Sequence, residues 1–491
     1  MPATEDILNS KMIFPLTKPQ WSAWCSAFYE SPQNRLAQNV CTARDPINVC
    51  LRSEADLCSI VSGDKTWHEV GTQGKGTTGG PGWICTGLDL LRQEMDRKFP
   101  LPADFELSAA HLFFWHKLER CNYFLWTTAD LLMRCEPLDG RCFRHFMKNA
   151  VPDGGNWQMF VNLVKKYGLM PKKCYLSNQR SRRMNIMLRS KLREYASMLH
   201  AQFTFDGNGQ RLPELIQEMI PNLFNMVSIC LGEPPEVFNW TFYDHKKRYQ
   251  CLNDLTAVHF YEVMVACNVD LDAFVCLGHD PRLSSISQGN YQITHSSNMI
   301  GGEPHRYNNQ SMEVIVRIIL DSLAGNKPVW LGCDLSSIFS TKTGPLSLQS
   351  HRFDLMFGFK VGDSLSKAER LLYKESRRDA AVLLTSVALD SLKEPIEFRS
   401  ISASVNGKSE STTTLNEADE AEKNKENYKD EELKKKSAKN QAITIDADWL
   451  KEYGFEIVVH EKFVPPGVLH ASRISKATEL PAWDPMGALL N

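Results

Sequence analysis

The densest run of residues suited to chemistry is GTQGKGTTGGPG at 71–82, where half the positions are glycine. Such a run adopts backbone angles closed to other residues and lets a ligand come close to the main chain. Within it, GKGTTG at 74–79 has the G-x-G-x-x-G spacing of a dinucleotide site, between a strand-like KTWHEV and a helical pattern. That chemistry needs an acid at the end of the following strand. The acid at the right distance, Asp96, falls in the same helix, and no βαβ repeat follows. A P-loop fails as well, because Lys75 is followed by Gly76 rather than serine or threonine. No nucleotide cofactor is therefore expected. Fourteen cysteines are scattered through the chain, with no CxxC pair and no His-x3-His partner, so structural zinc, or any other metal, is not expected either. Most sit in apolar company, as Cys121 does in LERCNYFLW and Cys276 in FVCLGHD, which reads as buried free thiols in a reducing compartment.

The elements that position these residues follow from the hydrophobic pattern. WICTGLDLLRQEMDRKF predicts a helix beginning near Trp83, directly after the glycine run. From 105 to about 265 the pattern is mainly helical, strongest in FELSAAHLFFWHKLERCNYFLW and NWQMFVNLVKKYG, with turns at Pro152–Gly155 and Leu231–Pro235. Beyond 270 the short apolar runs DAFVCLGHD, KPVWLGCDL, FDLMFGFKV and EFRSISASV predict buried strands. Between Lys408 and Lys439 nine acids and eight lysines leave no apolar face to bury, so a solvated spacer is expected. DADWLKEYGFEIVVHEKFV then predicts a short helix and a strand. The chain divides into an N-terminal segment (1–70), a helical half (71–270), a β-rich half (271–404), the charged insertion (405–441) and a closing part with a C-terminal arm (442–491). With 491 residues, 43% hydrophobic and a net charge of −2, there is core enough for a large fold. The charge gives no reason to expect nucleic acid or an anionic membrane as partner. No apolar run reaches the roughly 18–20 residues of a membrane helix. The opening MPATEDILNSKMIFPL lacks a basic-then-apolar leader, so a cytoplasmic protein is expected.

Longer stretches carry a family resemblance. LFFWHKLERC, PDGGNWQMFVNLVKKYGLMPKKCY, RRMNIML, ICLGEPPEVFNW, SNMIGG, YNNQ, VWLGCD, SKAER and LPAWDPMGALLN resemble the bleomycin hydrolase family, from LAQNV at 36–40 to the C-terminus with the charged insertion interrupting. The resemblance implies an α+β papain-like cysteine peptidase fold, a helical half packed on a β-rich half with helical insertions. It implies the activity of a cytosolic thiol aminopeptidase without cofactor, and assembly into a hexameric homo-oligomer. It also implies that the C-terminal arm lies in the active-site cleft, where the terminal carboxylate, here on Asn491, meets the amino end of a peptide. Asp153, Gly154, Gly155 and Asn156 match the family's substrate-side turn.

Papain-like chemistry uses a cysteine at a helix N-terminus, a histidine on a strand, an asparagine that orients the ring and a glutamine upstream that helps hold the oxyanion. Carried over by resemblance, the nucleophile position, just before W-I, is Gly82; the histidine position, before L-x-F-G, is Phe353; the asparagine position is Ala403, or Ser402 if the gap moves; the glutamine position is Gly76. All four are substituted. The neighbours that could stand in are Cys85, His351 and Asn406, with Gln73 for the glutamine. Cys85, however, lies about 4.5 Å further along the helix and some 300° around it. The expectation is a degenerate homologue that keeps fold, assembly and peptide binding, alone or with an active paralogue. Two other readings stay open: an active aminopeptidase with shifted residues, and an oligomeric interaction scaffold.

Overall fold

The computed structural model describes residues 15–52, 65–70, 76–176, 181–335, 345–362, 364–401, 443–474 and 476–490. They fall into two compact units, one holding the described residues of Met1–Val61 and Leu348–Leu365, the other those of Ser62–Ser347 and Ser366–Asn491. The charged insertion lies outside the described residues.

In the smaller unit three helices follow in sequence, Lys18–Glu30, Pro32–Ala43 and Pro46–Cys50, joined by the later helix Phe353–Phe357. Each of the first three begins on a proline or has one in its first turn, where the missing N–H costs nothing. Asp45 caps the third, its Oδ1 accepting from Ile47 N at 2.9 Å and Asn48 N at 3.3 Å.

The larger unit is built on a sheet. Its strands, in chain order, are β1 (Thr66–Glu69), β2 (Phe238–Tyr243), β3 (Tyr249–Leu255), β4 (Phe274–Gly278), β5 (Asn290–Ile293), β6 (Arg306–Asn309), β7 (Val329–Cys333), β8 (Ala380–Leu389), β9 (Pro395–Ile401), β10 (Ile443–Asp446), β11 (Gly454–His460) and β12 (Thr478–Leu480). Ten of them form one mixed sheet among the described residues, in the order β10-β9-β8-β7-β11-β4-β6-β5-β12, with β1 added on β8. β4 and β6 run parallel, as do β12 and β5; the other pairs are antiparallel. β8 is the pivot, because period-two alternation sends its side chains into two cores. Ala381 and Leu383 join Trp330 and the helical residues, while Val382 and Leu384 face Ile315, Ile318, Ile319 and Trp449. Burial on both faces explains why β8 reads AAVLLTSVAL without a charge.

On the helical side stand Gly82–Asp96, Ala109–Met133, Trp157–Tyr167, Ser181–Asp206 and Leu212–Leu231. The Ala109–Met133 helix is buried on most sides and is started by Ser108, whose Oγ accepts from His111 N at 3.2 Å. Helix positions expected at Trp83, in LFFWHKLER and in NWQMFVNLVKKY are therefore found, as are strands in DAFVCLGHD (β4), KPVWLGCDL (β7) and EFRSISASV (β9). Two expectations are corrected. FDLMFGFKV is not a strand: Phe353–Phe357 is a helix stopped by Gly358 in a left-handed conformation, φ 78°. The stretch expected to be helical up to 265 contains the β2–β3 hairpin, whose Trp240 packs on Phe105 and Phe260. The longest strand, β8, gives no sequence alternation because neither of its faces meets water.

Candidate active site

The glycine run leads into the Gly82–Asp96 helix through Pro81, whose carbonyl accepts from Ile84 N and Cys85 N at 3.1 and 3.0 Å. Gly82 is the first helical residue and is buried, so the position that the dipole of the helix would favour for a thiolate carries no side chain. Cys85 is fully buried, with Sγ donating to Gly80 O at 3.5 Å. Burial, reinforced by the charge of Asp89, pushes its thiol up far beyond the ordinary range, the opposite of a nucleophile's tuning.

The loop before the helix is locked to it. Thr77 donates to Asp89 Oδ1 through its N–H at 2.7 Å and its hydroxyl at 2.6 Å, and burial raises the Asp89 carboxyl to about 7 against these bonds. Thr78 N meets Glu106 Oε2 at 3.2 Å, and Lys172 bonds both Thr78 Oγ1 and Glu106. At Gly76, where the resemblance placed the glutamine, a Cβ would stand 2.8 Å from Ile401 Cγ2 and 3.2 Å from Asp89 Oδ2, so a side chain there has little room.

The strand packed against this helix is β8: Thr86 Oγ1 donates to Ala381 O at 3.1 Å. Beginning with Ala380 and Ala381, β8 offers the first turns of the helix no imidazole, thiol or acid along its whole length. Phe353, where resemblance placed the histidine position, opens a helix in the smaller unit rather than riding a strand, which corrects that expectation. His351, in the same unit, bridges Leu51, meets Ser350 Oγ through Nδ1 at 2.8 Å, and stacks on Phe353 with ring centroids 5.3 Å apart. Burial lowers its affinity for a proton. Ala403, Ser402, Asn406, Gln73 and Asn491 lie outside the described residues.

The turn Asp153–Asn156, expected to be the substrate-side turn, divides its labour. Asp153 gives its carbonyl to Trp83 Nε1 at 3.0 Å and its carboxylate to Lys117, to Asn185 Nδ2 at 2.8 Å and to Ser181 Oγ at 3.1 Å. Burial pushes that carboxyl up, but Lys117, Asn185 and Ser181 together hold it below its ordinary value. Asn156 caps the next helix, accepting from Met159 N at 2.9 Å. Gly154 is buried beside them. Gly155 pairs with the C-terminal arm: Gly155 N donates to Leu490 O at 3.0 Å and Leu490 N to Gly155 O at 2.8 Å. A side chain at Gly155 would meet the Trp83 ring at 2.6 Å, which is why the turn needs glycine there.

The arm is anchored along its length. Met486 is fully buried among Tyr291, Tyr307 and Phe455; Trp483 is half-buried under the Arg141 guanidinium, 4.5 Å away; Asp484 pairs with Arg282. Arg378 Nη2 donates to Ala488 O at 3.2 Å, while its other end lies on the buried Glu456, which also meets His305 Nε2 at 2.9 Å. Burial opposes that charge, but Arg378 and then His305 pull the Glu456 carboxyl down to about 2. Cys276, His305 and Glu456 bring donor atoms within 4.8 Å of one another. The guanidinium of Arg378, 3.2 Å from His305 Nε2, supplies the positive charge that this group calls for. Sequence reasoning missed both Arg378 and β8; the long uncharged run AAVLLTSVAL was the available signal for the strand.

A helix led in by a glycine run, packed across a large sheet and faced by the arm, is the papain-like α+β arrangement. The solved structure of PepW from Lactobacillus rhamnosis HN001 shares it, with a TM-score of 0.82 over 97% of this chain and 99% of that one at 22% identity. The sequence matches the peptidase C1-like family over residues 15–409 and 403–487. It is 34% identical to bleomycin hydrolase of Gallus gallus, covering 96% of this chain and 98% of that protein, and 33% identical to bleomycin hydrolase of Homo sapiens over 93% and 95%. Aminopeptidase C of Listeria monocytogenes is 28% identical over 86% and 88%. The chain belongs to the peptidase C1-like family, in the branch of bleomycin hydrolase and aminopeptidase C.

Proposed function

We propose that this chain is a catalytically impaired member of its family, a pseudo-peptidase that keeps the fold and the arm-filled cleft but not the hydrolytic apparatus. The observation that carries the reading is the helix N-terminus, where Gly82 holds the nucleophile position and the nearest helical thiol, Cys85, is buried and proton-bound. β8, which offers this helix only aliphatic and hydroxyl groups, supports it. Without nucleophile and base, the transition-state stabilisation of a cysteine peptidase is gone and only binding remains. In the same reading the protein is cytoplasmic, assembles with copies of itself as a hexamer or with an active paralogue, and takes peptides along Gly155 when the arm gives way. Membrane and nucleic acid are not among its partners.

The test is hydrolysis of a panel of aminoacyl fluorogenic amides by the purified protein, with Cys85→Ala and Gly82→Cys variants alongside. Wild-type turnover at the blank level is the expected result. Turnover above blank that disappears in Cys85→Ala would overturn the proposal and assign the chemistry to the shifted thiol. Light scattering of the same preparation gives the assembly state, and a monomer would remove that part of the reading.

A further inference from the structure

In the smaller unit three sulfur atoms from three helices meet. Cys41 Sγ, in Pro32–Ala43, lies 3.7 Å from Met356 Sδ; Cys50 Sγ, at the end of Pro46–Cys50, lies 3.6 Å from the same sulfur. Met356 comes from Phe353–Phe357, more than 300 residues along the chain, so no spacing in the sequence announces the group. Cys50 and Met356 are buried, and Cys41 is partly exposed, which leaves a way in. The backbone holds the group in place: Arg352 N donates to Cys50 O at 2.8 Å and Arg52 N to Ser350 O at 2.9 Å, while Asp45 caps the helix that ends on Cys50.

We propose that Cys41, Cys50 and Met356 form a three-coordinate, all-sulfur site for a cuprous ion. Thiolate and thioether together select a soft monovalent metal, whereas calcium and magnesium want oxygen and structural zinc wants a fourth nitrogen or sulfur. Three sulfurs on metal–sulfur bonds of about 2.3 Å stand about 4 Å apart in a trigonal plane, so the two separations to Met356 Sδ, 3.7 and 3.6 Å, need only a small spreading. Binding forms two copper–thiolate bonds and one copper–thioether bond and releases the two thiol protons to solvent, with no change in oxidation state. Affinity therefore rises with pH. The site is independent of the cleft and of whether the chain hydrolyses peptides.

The experiment titrates the reduced full-length protein, without oxygen, with cuprous ion against the competing chelator bicinchoninate. Met356→Leu, which keeps the volume of the side chain, and Cys41→Ser are titrated in parallel, with thermal unfolding of each as a check on folding. The remaining cysteines give a background common to all three proteins. Wild type should hold one more copper equivalent against the chelator than Cys41→Ser, and Met356→Leu should hold it about 10–100-fold more weakly. X-ray absorption of the loaded wild type should show sulfur neighbours only. Equal copper retention by all three folded proteins, or nitrogen and oxygen neighbours in the absorption spectrum, would overturn the assignment.

Discussion

Replacing Asp89 by asparagine should stabilise the protein at neutral and alkaline pH and flatten its pH dependence. The Asp89 side chain is buried, accepts both the N–H and the hydroxyl of Thr77, and titrates at about 7 instead of its ordinary 3.8, because burial disfavours the charge. For an acid whose folded value is raised, the stabilising contribution is fully present below the unfolded value of 3.8 and is lost as the pH rises through 7. At about 1.36 kcal/mol per unit, the wild type should lose on the order of 2–3 kcal/mol through this group between pH 5 and pH 8. Asparagine offers Thr77 the same acceptor without the charge. Its buried amide nitrogen costs about 1–2 kcal/mol, but equally at both pH values, so the difference between them is untouched. The assay is the thermal midpoint of wild type and Asp89→Asn at pH 5 and pH 8, where all other titrations cancel in the comparison. At roughly 2 °C per kcal/mol for a chain of this size, the variant should gain about 4–6 °C on the wild type between the two conditions. A variant whose midpoint runs parallel to the wild type at both values would refute the reasoning.

Three further outcomes follow from the same geometry. Gly155→Ala should lower stability by about 1–3 kcal/mol, since the new methyl meets the buried Trp83 ring at 2.6 Å; an unchanged urea midpoint would contradict the packing. Arg378→Met should cost about 3–5 kcal/mol by leaving the buried Glu456 with His305 as its remaining salt-bridge partner, and adding Glu456→Gln should recover most of it. The depressed Glu456 carboxyl also contributes stability present above its ordinary 4.5 and lost as the pH falls towards 2, so the double variant should lack that part of the acid limb in a pH titration of stability. In native protein, iodoacetamide followed by peptide mass spectrometry should label the exposed Cys25 and Cys135 while sparing Cys85; labelling of Cys85 at a comparable rate would show that the helix opens there.

Local pattern alone placed the helix after the glycine run, the LFFWHKLER and NWQMFVNLVKKY helices and the short strands β4, β7, β9 and β11, because each carries its own period or its own turn residues. The helix start at Gly82 was legible for the same reason: the neighbouring residues mark it by themselves. What the sequence could not decide depends on partners far along the chain. β8 has no alternation to read, since helices cover both its faces, and FDLMFGFKV has strand-like residues but folds as a helix ended by Gly358. Cys85 reads from the sequence as a thiol three residues from the expected nucleophile position; only packing buries it and pushes its thiol up. Asp153 and Asn156 look like substrate contacts, yet Lys117 and a helix N-terminus take them up, leaving Gly155 to pair with Leu490. The sequence thus determined which chemical groups are present or missing, because that is a matter of residue type. The tertiary structure decided which of them face water, a ligand or one another, because burial and charge pairing are set by contacts hundreds of residues apart.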